Sequence, residues 1–199
     1  TRRDCEAFAK RWLVPSNAVI AVFGDLDRDA TLKRLEQLFG SLPKSTSAWP
    51  ERIPEEPPQE IRSVSQTMDK EQSLIMLGFS GTTHTGSDRH ALDLMTAGLS
   101  GMSGRLFQTV REAHGLSYTL GAANVPGWDP GYLLVYAATR PDEQEKVLQM
   151  LDEQLDLAAR KGFTAQEVDE AKRYLIGQHR MDLQHLTGLA KRSVLDELY

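Results

Sequence analysis

A single cysteine, Cys5, stands among 199 residues, so no intramolecular disulfide can form and no oxidising compartment is implied by cysteine pairs. Free cysteine is usually a small apolar filler, and Cys5 is expected to be one within a first helix rather than a reactive thiol. Long apolar runs are also missing: none approaches the ~18 residues of a membrane span. The start, Thr1-Arg2-Arg3-Asp4, has no signal-peptide core and no Met, and a piece of a longer protein is the expectation. Positive charge is in deficit, with 23 Lys+Arg against 28 Asp+Glu and a net charge of −5. No Lys/Arg cluster exceeds three, which argues against nucleic acid and against an anionic membrane surface as partners. The five histidines (His84, His90, His114, His179, His185) form no H-E-x-x-H or H-x-x-E-H, and no C-x-x-C accompanies them, so no metal site is expected in this chain. A nucleophile elbow and a phosphate-binding loop are absent too.

What remains is an ordinary globular composition, 40% hydrophobic. A chain of this size buries roughly 70% of its unfolded surface and needs no metal or disulfide to hold a core. Residues 4–13 carry apolar side chains at helical spacing, and Pro15 ends the run. Asn17 to Phe23 (NAVIAVF) is predicted to be a buried strand, followed by a helix over Asp29 to Phe39 closed by a left-handed Gly40. Five of the nine prolines fall between Pro43 and Glu60, which predicts an extended strap. Ile61 to Gly78 gives two strand-like stretches, with Ser73 to Phe79 the more buried; a helix capped by Ser87 or Asp88 presents Leu92, Met95 and Leu99.

Gly98 to Gly104 (GLSGMSG) reads as a flexible loop ahead of a helix over Arg105 to Ala113. Leu116 to Asn124 and Gly131 to Thr139 form a hairpin with a long turn. Pro141-Asp142 opens a helix with Val147, Leu151, Leu155 and Ala158 on one face, and Gly162 closes it. Thr164 to Glu167 is a capping box for the next helix, and a last one runs over Leu186 to Tyr199. Helices in blocks beside strands favour an α+β fold: a mixed or antiparallel sheet with helices packed on one face, as one domain over 1–199 with 1–16 as the end of a preceding linker or helix.

The stretch most suggestive of chemistry is Arg111-Glu112-Ala113-His114-Gly115-Leu116-Ser117-Tyr118. Arg111 closes a helix, Gly115 permits a turn and Tyr118 opens a strand, so both polar tips can point to the same side as donors to a peptide carbonyl or an oxyanion. The competing reading, favoured by the residues alone, is that Arg111 pairs with a nearby carboxylate and Tyr118 is a half-buried strand aromatic.

Four separated signatures carry a resemblance over nearly the whole chain. They are Pro15 to Val19 running into Val22-Phe23-Gly24-Asp25-Leu26-Asp27, Phe39-Gly40-Ser41-Leu42-Pro43, Gly101-Met102-Ser103-Gly104-Arg105-Leu106-Phe107, and Arg111-Glu112 with Gly115-Leu116-Ser117-Tyr118. In this order they resemble the pitrilysin/insulinase-type zinc peptidases and the mitochondrial processing peptidases. The resemblance implies two homologous α+β halves closing like a clamshell around an unfolded peptide. One half carries an inverted H-x-x-E-H that holds zinc; that motif is absent here, so the implied identity is the other, non-zinc half. In that half an Arg and a Tyr seven positions apart face the substrate, and Arg111 and Tyr118 match the spacing. By carry-over Arg111 grips a substrate carbonyl, Tyr118 hydrogen-bonds the tetrahedral oxyanion, and Gly101 and Ser103 complete the substrate-binding set.

The implied cofactor is therefore none in this segment and zinc in the complementary half, on the same chain or a second subunit. The implied partners are that half and a peptide substrate, with bacterial cytoplasm or periplasm as the compartment. A catalytically inactive structural homologue of the same family is the alternative, and an unrelated ligand-binding domain using the Gly98 to Gly104 loop the third.

Overall fold

The computed structural model describes residues 1–42, 56 and 58–198. They fall into two compact units, Thr1–Ile53 with Arg180–Tyr199, and Pro54–His179. In the first unit, α1 (Arg2–Trp12) starts at a capping box in which Thr1 and Asp4 satisfy each other's backbone N–H. Cys5 is exposed on α1, not a filler, because α1 buries none of its residues. Helix α2 (Arg28–Phe39) is capped by Asp27, whose Oδ1 accepts from Ala30 N at 2.7 Å.

Between these helices the structure departs from the expected strand at Asn17 to Phe23. Pro15–Asn17 is a 3-10 turn, and 18–23 has no ladder partner among the described residues. β-branched composition favours extended backbone but supplies no hydrogen-bond partner, and Ile20, Val22 and Phe23 are left 41 to 53% exposed. Gly40 is right-handed (φ −64°) rather than left-handed, so the last turn of α2 simply continues into it. The expected strap over 43–60 lies largely outside the described residues. The final helix of this unit is Leu186–Leu198.

The second unit is built on an antiparallel sheet of β1 (Ser73–Ser80), β2 (Ser117–Val125) and β3 (Tyr132–Thr139) in the order β1-β3-β2. Of the two stretches expected from Ile61 to Gly78 only the second is a strand. Ile61 and Val64 are at least 94% exposed, with no sheet face to cover them. In β3 the alternation is strict: Leu133, Val135, Ala137 and Thr139 are buried, while Tyr132 is exposed and Leu134, Tyr136 and Ala138 are half-buried.

The buried face meets helices. Leu99 of α3 (Arg89–Ser100), Leu106 and Val110 of the helical segment 105–112, and Val147 and Leu151 of α4 (Gln144–Lys161) share one core with Ile75, Leu133, Val135 and Ala137. Each fully buried Leu or Val contributes about 1.5–3 kcal/mol. The α+β architecture, an antiparallel sheet with helices on one face, is thus the one anticipated. Gly162, at φ +67°, lets the chain leave α4 in a left-handed step, and the Thr164 and Glu167 capping box starts α5 (Ala165–Asp182). Among the described residues no helix is long and apolar enough to cross a membrane.

In the Gly98 to Gly104 segment the glycines make close approaches, while Met102 and Ser103 stay exposed in the turn between them. Gly98 lies inside α3, and a Cβ there would meet Phe163 at 2.9 Å. At Gly104 a Cβ would meet the Leu99 carbonyl at 2.6 Å, so glycine is what lets the chain fold back on α3.

Candidate functional site

The site is set where a helix ends and β2 begins, and two single-residue irregularities define it. Leu106 and Val110 are buried four apart, which fixes one face of segment 105–112 on the core. From Phe107 to Glu112 this segment is π-helical: Ala113 N donates to the Gln108 carbonyl at 3.0 Å, five residues back. Gly115 (φ +62°) reverses the chain, and Leu116 N returns to the Val110 carbonyl at 3.0 Å. His114 is tied into the same corner, its Nδ1 lying 2.8 Å from the Thr109 carbonyl.

The second irregularity is in β2. Ser117 is buried opposite Thr139, and Leu120 also faces the core opposite Ala137. Three positions apart, these two residues have opposite parity in a regular strand, so one extra residue must be accommodated. The register shift between Ser117 and Thr119 is that bulge, and the residue in it is Tyr118, 79% exposed. Ser117 Oγ lies 2.7 Å from the Ala138 carbonyl and 2.9 Å from that of Thr119, and Thr139 Oγ1 donates to the Leu116 carbonyl at 2.7 Å. Buried hydroxyls thus hold the distortion in place.

Arg111 and Tyr118 are brought together. The Arg111 guanidinium carbon lies 4.3 Å from the Tyr118 ring centroid and 4.7 Å from that of Phe107, and Nη1 donates to the Tyr118 carbonyl at 3.5 Å, the outer limit of a hydrogen bond. Among the described residues no carboxylate pairs with Arg111, and Tyr118 is exposed, so neither part of the structural reading of the pair holds. The result is a guanidinium with most of its N–H groups uncommitted beside an accessible phenol.

Gly101 and Ser103 sit at the opposite end of segment 105–112 from Arg111. Gly101 is buried at the end of α3, and Ser103 is exposed beside a small cavity of about 20 Å³ that also touches Glu170 and Tyr174. A larger cavity of about 220 Å³ between α3 and α5 is walled by Ala91, Leu94, Met95, Phe163 and Val168. The charged residue on its wall, Glu167, is already engaged: Arg105 Nε donates to Oε1 at 2.6 Å and Nη2 to Oε2 at 2.9 Å. This bidentate bond holds the Glu167 carboxyl down to about 2 and raises Arg105. Sequence reasoning missed the Arg105 and Glu167 clamp, and Phe107 as a neighbour of Arg111. A partner 62 residues away leaves no local signal; the i, i+4 spacing of Phe107 and Arg111 is one that could have been used.

No group of three or more His, Cys, Asp or Glu side chains able to hold a metal ion occurs among the described residues, so the residues present do not fit a zinc site. The family description "Peptidase M16 inactive domain" matches residues 1–175. The chain belongs to that family. This peptidase M16 inactive domain is 30% identical over 199 residues to a zinc protease of Streptomyces coelicolor, a match spanning 96% of this chain and 43% of that protein. YmxG, a zinc protease of Bacillus subtilis, is 29% identical over 189 residues, 94% of this chain and 45% of its own. The crystal structure of a peptidase M16 inactive domain from Pseudomonas fluorescens superposes with a TM-score of 0.72 at 28% identity, over 89% of this chain and 43% of that one. A protease from Helicobacter pylori has the same fold, with a TM-score of 0.80 at 20% identity. The chain spans somewhat under half the length of the curated relatives named above.

Proposed function

We propose that this domain is the substrate-binding, non-zinc half of a zinc metalloendopeptidase that cleaves unfolded peptides inside a closed chamber. The observation that carries the reading is the pairing of Arg111 with Tyr118: a guanidinium without a carboxylate, 4.3 Å from an exposed phenol that a bulge has turned out of the sheet alternation. An exposed aromatic set apart from the core does nothing for packing, and a guanidinium beside it is a donor suited to a peptide. In this reading Arg111 donates to a carbonyl of the bound peptide and fixes its register. Tyr118 donates a hydrogen bond from its hydroxyl to the oxygen of the scissile carbonyl as negative charge develops there. Of Gly101 and Ser103, at the other end of segment 105–112, only the exposed Ser103 presents a side chain to a peptide; the buried Gly101 supports the turn that carries it.

The metal chemistry resides in the complementary half, on the same chain or a second subunit, in bacterial cytoplasm or periplasm. Residues 1–199 act as one half of that assembly. In the full-length protein, Arg111→Ala or Tyr118→Phe is expected to lower kcat/KM at least about tenfold, the loss of one good transition-state hydrogen bond, with bound zinc unchanged. Wild-type kinetics in both variants refute the proposal.

A further inference from the structure

We infer that Phe107 is a positioning residue: it holds the Arg111 guanidinium in place for the peptide, and does so without touching substrate itself. The inference rests on the reading of Arg111 as a peptide donor and adds the group that makes the donor ready. Arg111 lies beside two rings, and they differ in how firmly they are held. Tyr118 is 79% exposed, in a bulge and beyond a turn, so its ring position is set by few contacts. Phe107 is half-buried, next in sequence to Leu106, which is fully buried in the core.

The backbone under Phe107 is pinned at several further points. Gln108 Nε2 donates to the Met102 carbonyl at 3.0 Å, Thr109 Oγ1 to the Arg105 carbonyl at 2.6 Å, and Arg105 is clamped to Glu167. Of the two rings, Phe107 is thus the fixed one. A long arginine side chain carries large rotamer freedom, and stacking on a fixed ring removes part of it before substrate arrives. Stacking engages the π-face of the guanidinium and leaves its N–H edges to donate, whereas an ion pair would have consumed them. A carboxylate at position 107 would restrain Arg111 equally well and disable it; a phenyl ring restrains it and leaves it available.

The test uses the full-length protein with fluorescently labelled casein as an unfolded substrate. Phe107→Leu keeps apolar bulk and removes the ring; Phe107→Tyr keeps the ring. Phe107→Leu is expected to raise KM about three- to fivefold, the value of one partly exposed cation–π contact, with kcat within about twofold of wild type. Phe107→Tyr is expected to restore wild-type KM, and Phe107→Leu to add nothing in an Arg111→Ala background. The Arg111 side-chain Nε–H resonance, shifted by both rings, is expected to lose the Phe107 contribution in Phe107→Leu and to keep it in Phe107→Tyr. An unchanged KM in Phe107→Leu, where Arg111→Ala raises it, overturns the positioning role and leaves the peptide-donor reading standing. An equal KM change in the Arg111→Ala background also overturns it, because Phe107 then acts independently of Arg111. Wild-type KM and kcat in Arg111→Ala overturn the peptide-donor reading itself, and with it this inference, even where the resonance shift behaves as described.

Discussion

Replacing Glu167 by Gln removes a charge while keeping shape and most hydrogen-bond geometry, and so isolates the value of the clamp on Arg105. A carboxyl lowered from 4.5 to about 2 contributes on the order of 3 kcal/mol to folding at neutral pH, at about 1.4 kcal/mol per unit. The Glu167 side chain is 26% exposed and that of Arg105 13%; solvent screening reduces the expected figure to about 2 kcal/mol. The sign follows from the direction of the shift. The folded-state value is depressed, so the contribution is complete above the unfolded value near 4.5 and is lost as pH falls from there through about 2. Urea unfolding followed by circular dichroism is therefore expected to separate wild type from Glu167→Gln by about 2 kcal/mol at neutral pH, with equal m-values, and by much less near pH 2. A gap equally large at both pH values, or none at neutral pH, refutes the electrostatic argument. The clamp matters to the site because Arg105 begins the helical segment that carries Phe107 and Arg111.

Two further outcomes concern glycines. Gly115→Ala adds a Cβ that meets nothing within 4 Å, so its cost is that of left-handed backbone (φ +62°) alone, about 1–2 kcal/mol; a thermal melt should fall by several degrees, and Gly115→Asn should fall less. Gly104→Ala, whose Cβ would meet backbone atoms at 2.6 and 2.7 Å, is expected to cost about 1–3 kcal/mol, whereas Gly177→Ala, with open space inside α5, should stabilise by about 0.5–1 kcal/mol. A melt in which Gly104→Ala and Gly177→Ala move in the same direction contradicts these local packing arguments.

What could be read in advance divides along a physical line. The existence of α1, the start of α5, the β2 and β3 hairpin and the end of α4 at Gly162 were legible because caps, turn residues and periodicity act within a few positions. NAVIAVF misled because strand formation depends on a partner that composition does not supply. Gly98 misled because glycine marks close approach as well as loops: it lies inside α3 against Phe163. At the candidate site the residues by themselves favoured an ion pair for Arg111; the resemblance of the R-E-x-x-G-L-x-Y stretch to a known peptidase half pointed the other way, and among the described residues no carboxylate pairs with it. The bulge was not legible, since that Ser117 and Leu120 both face inward is known only from the fold.

That bulge separates two kinds of selection. Because Tyr118 occupies the extra position, Ser117 before it and Leu120 after it face the core whatever side chain stands at 118. Folding is therefore nearly indifferent to this residue, and a library randomised at 118 and sorted only for stability should return almost every amino acid. Any narrowing toward tyrosine among working variants would measure function alone, free of the contribution that packing makes at most aromatic positions.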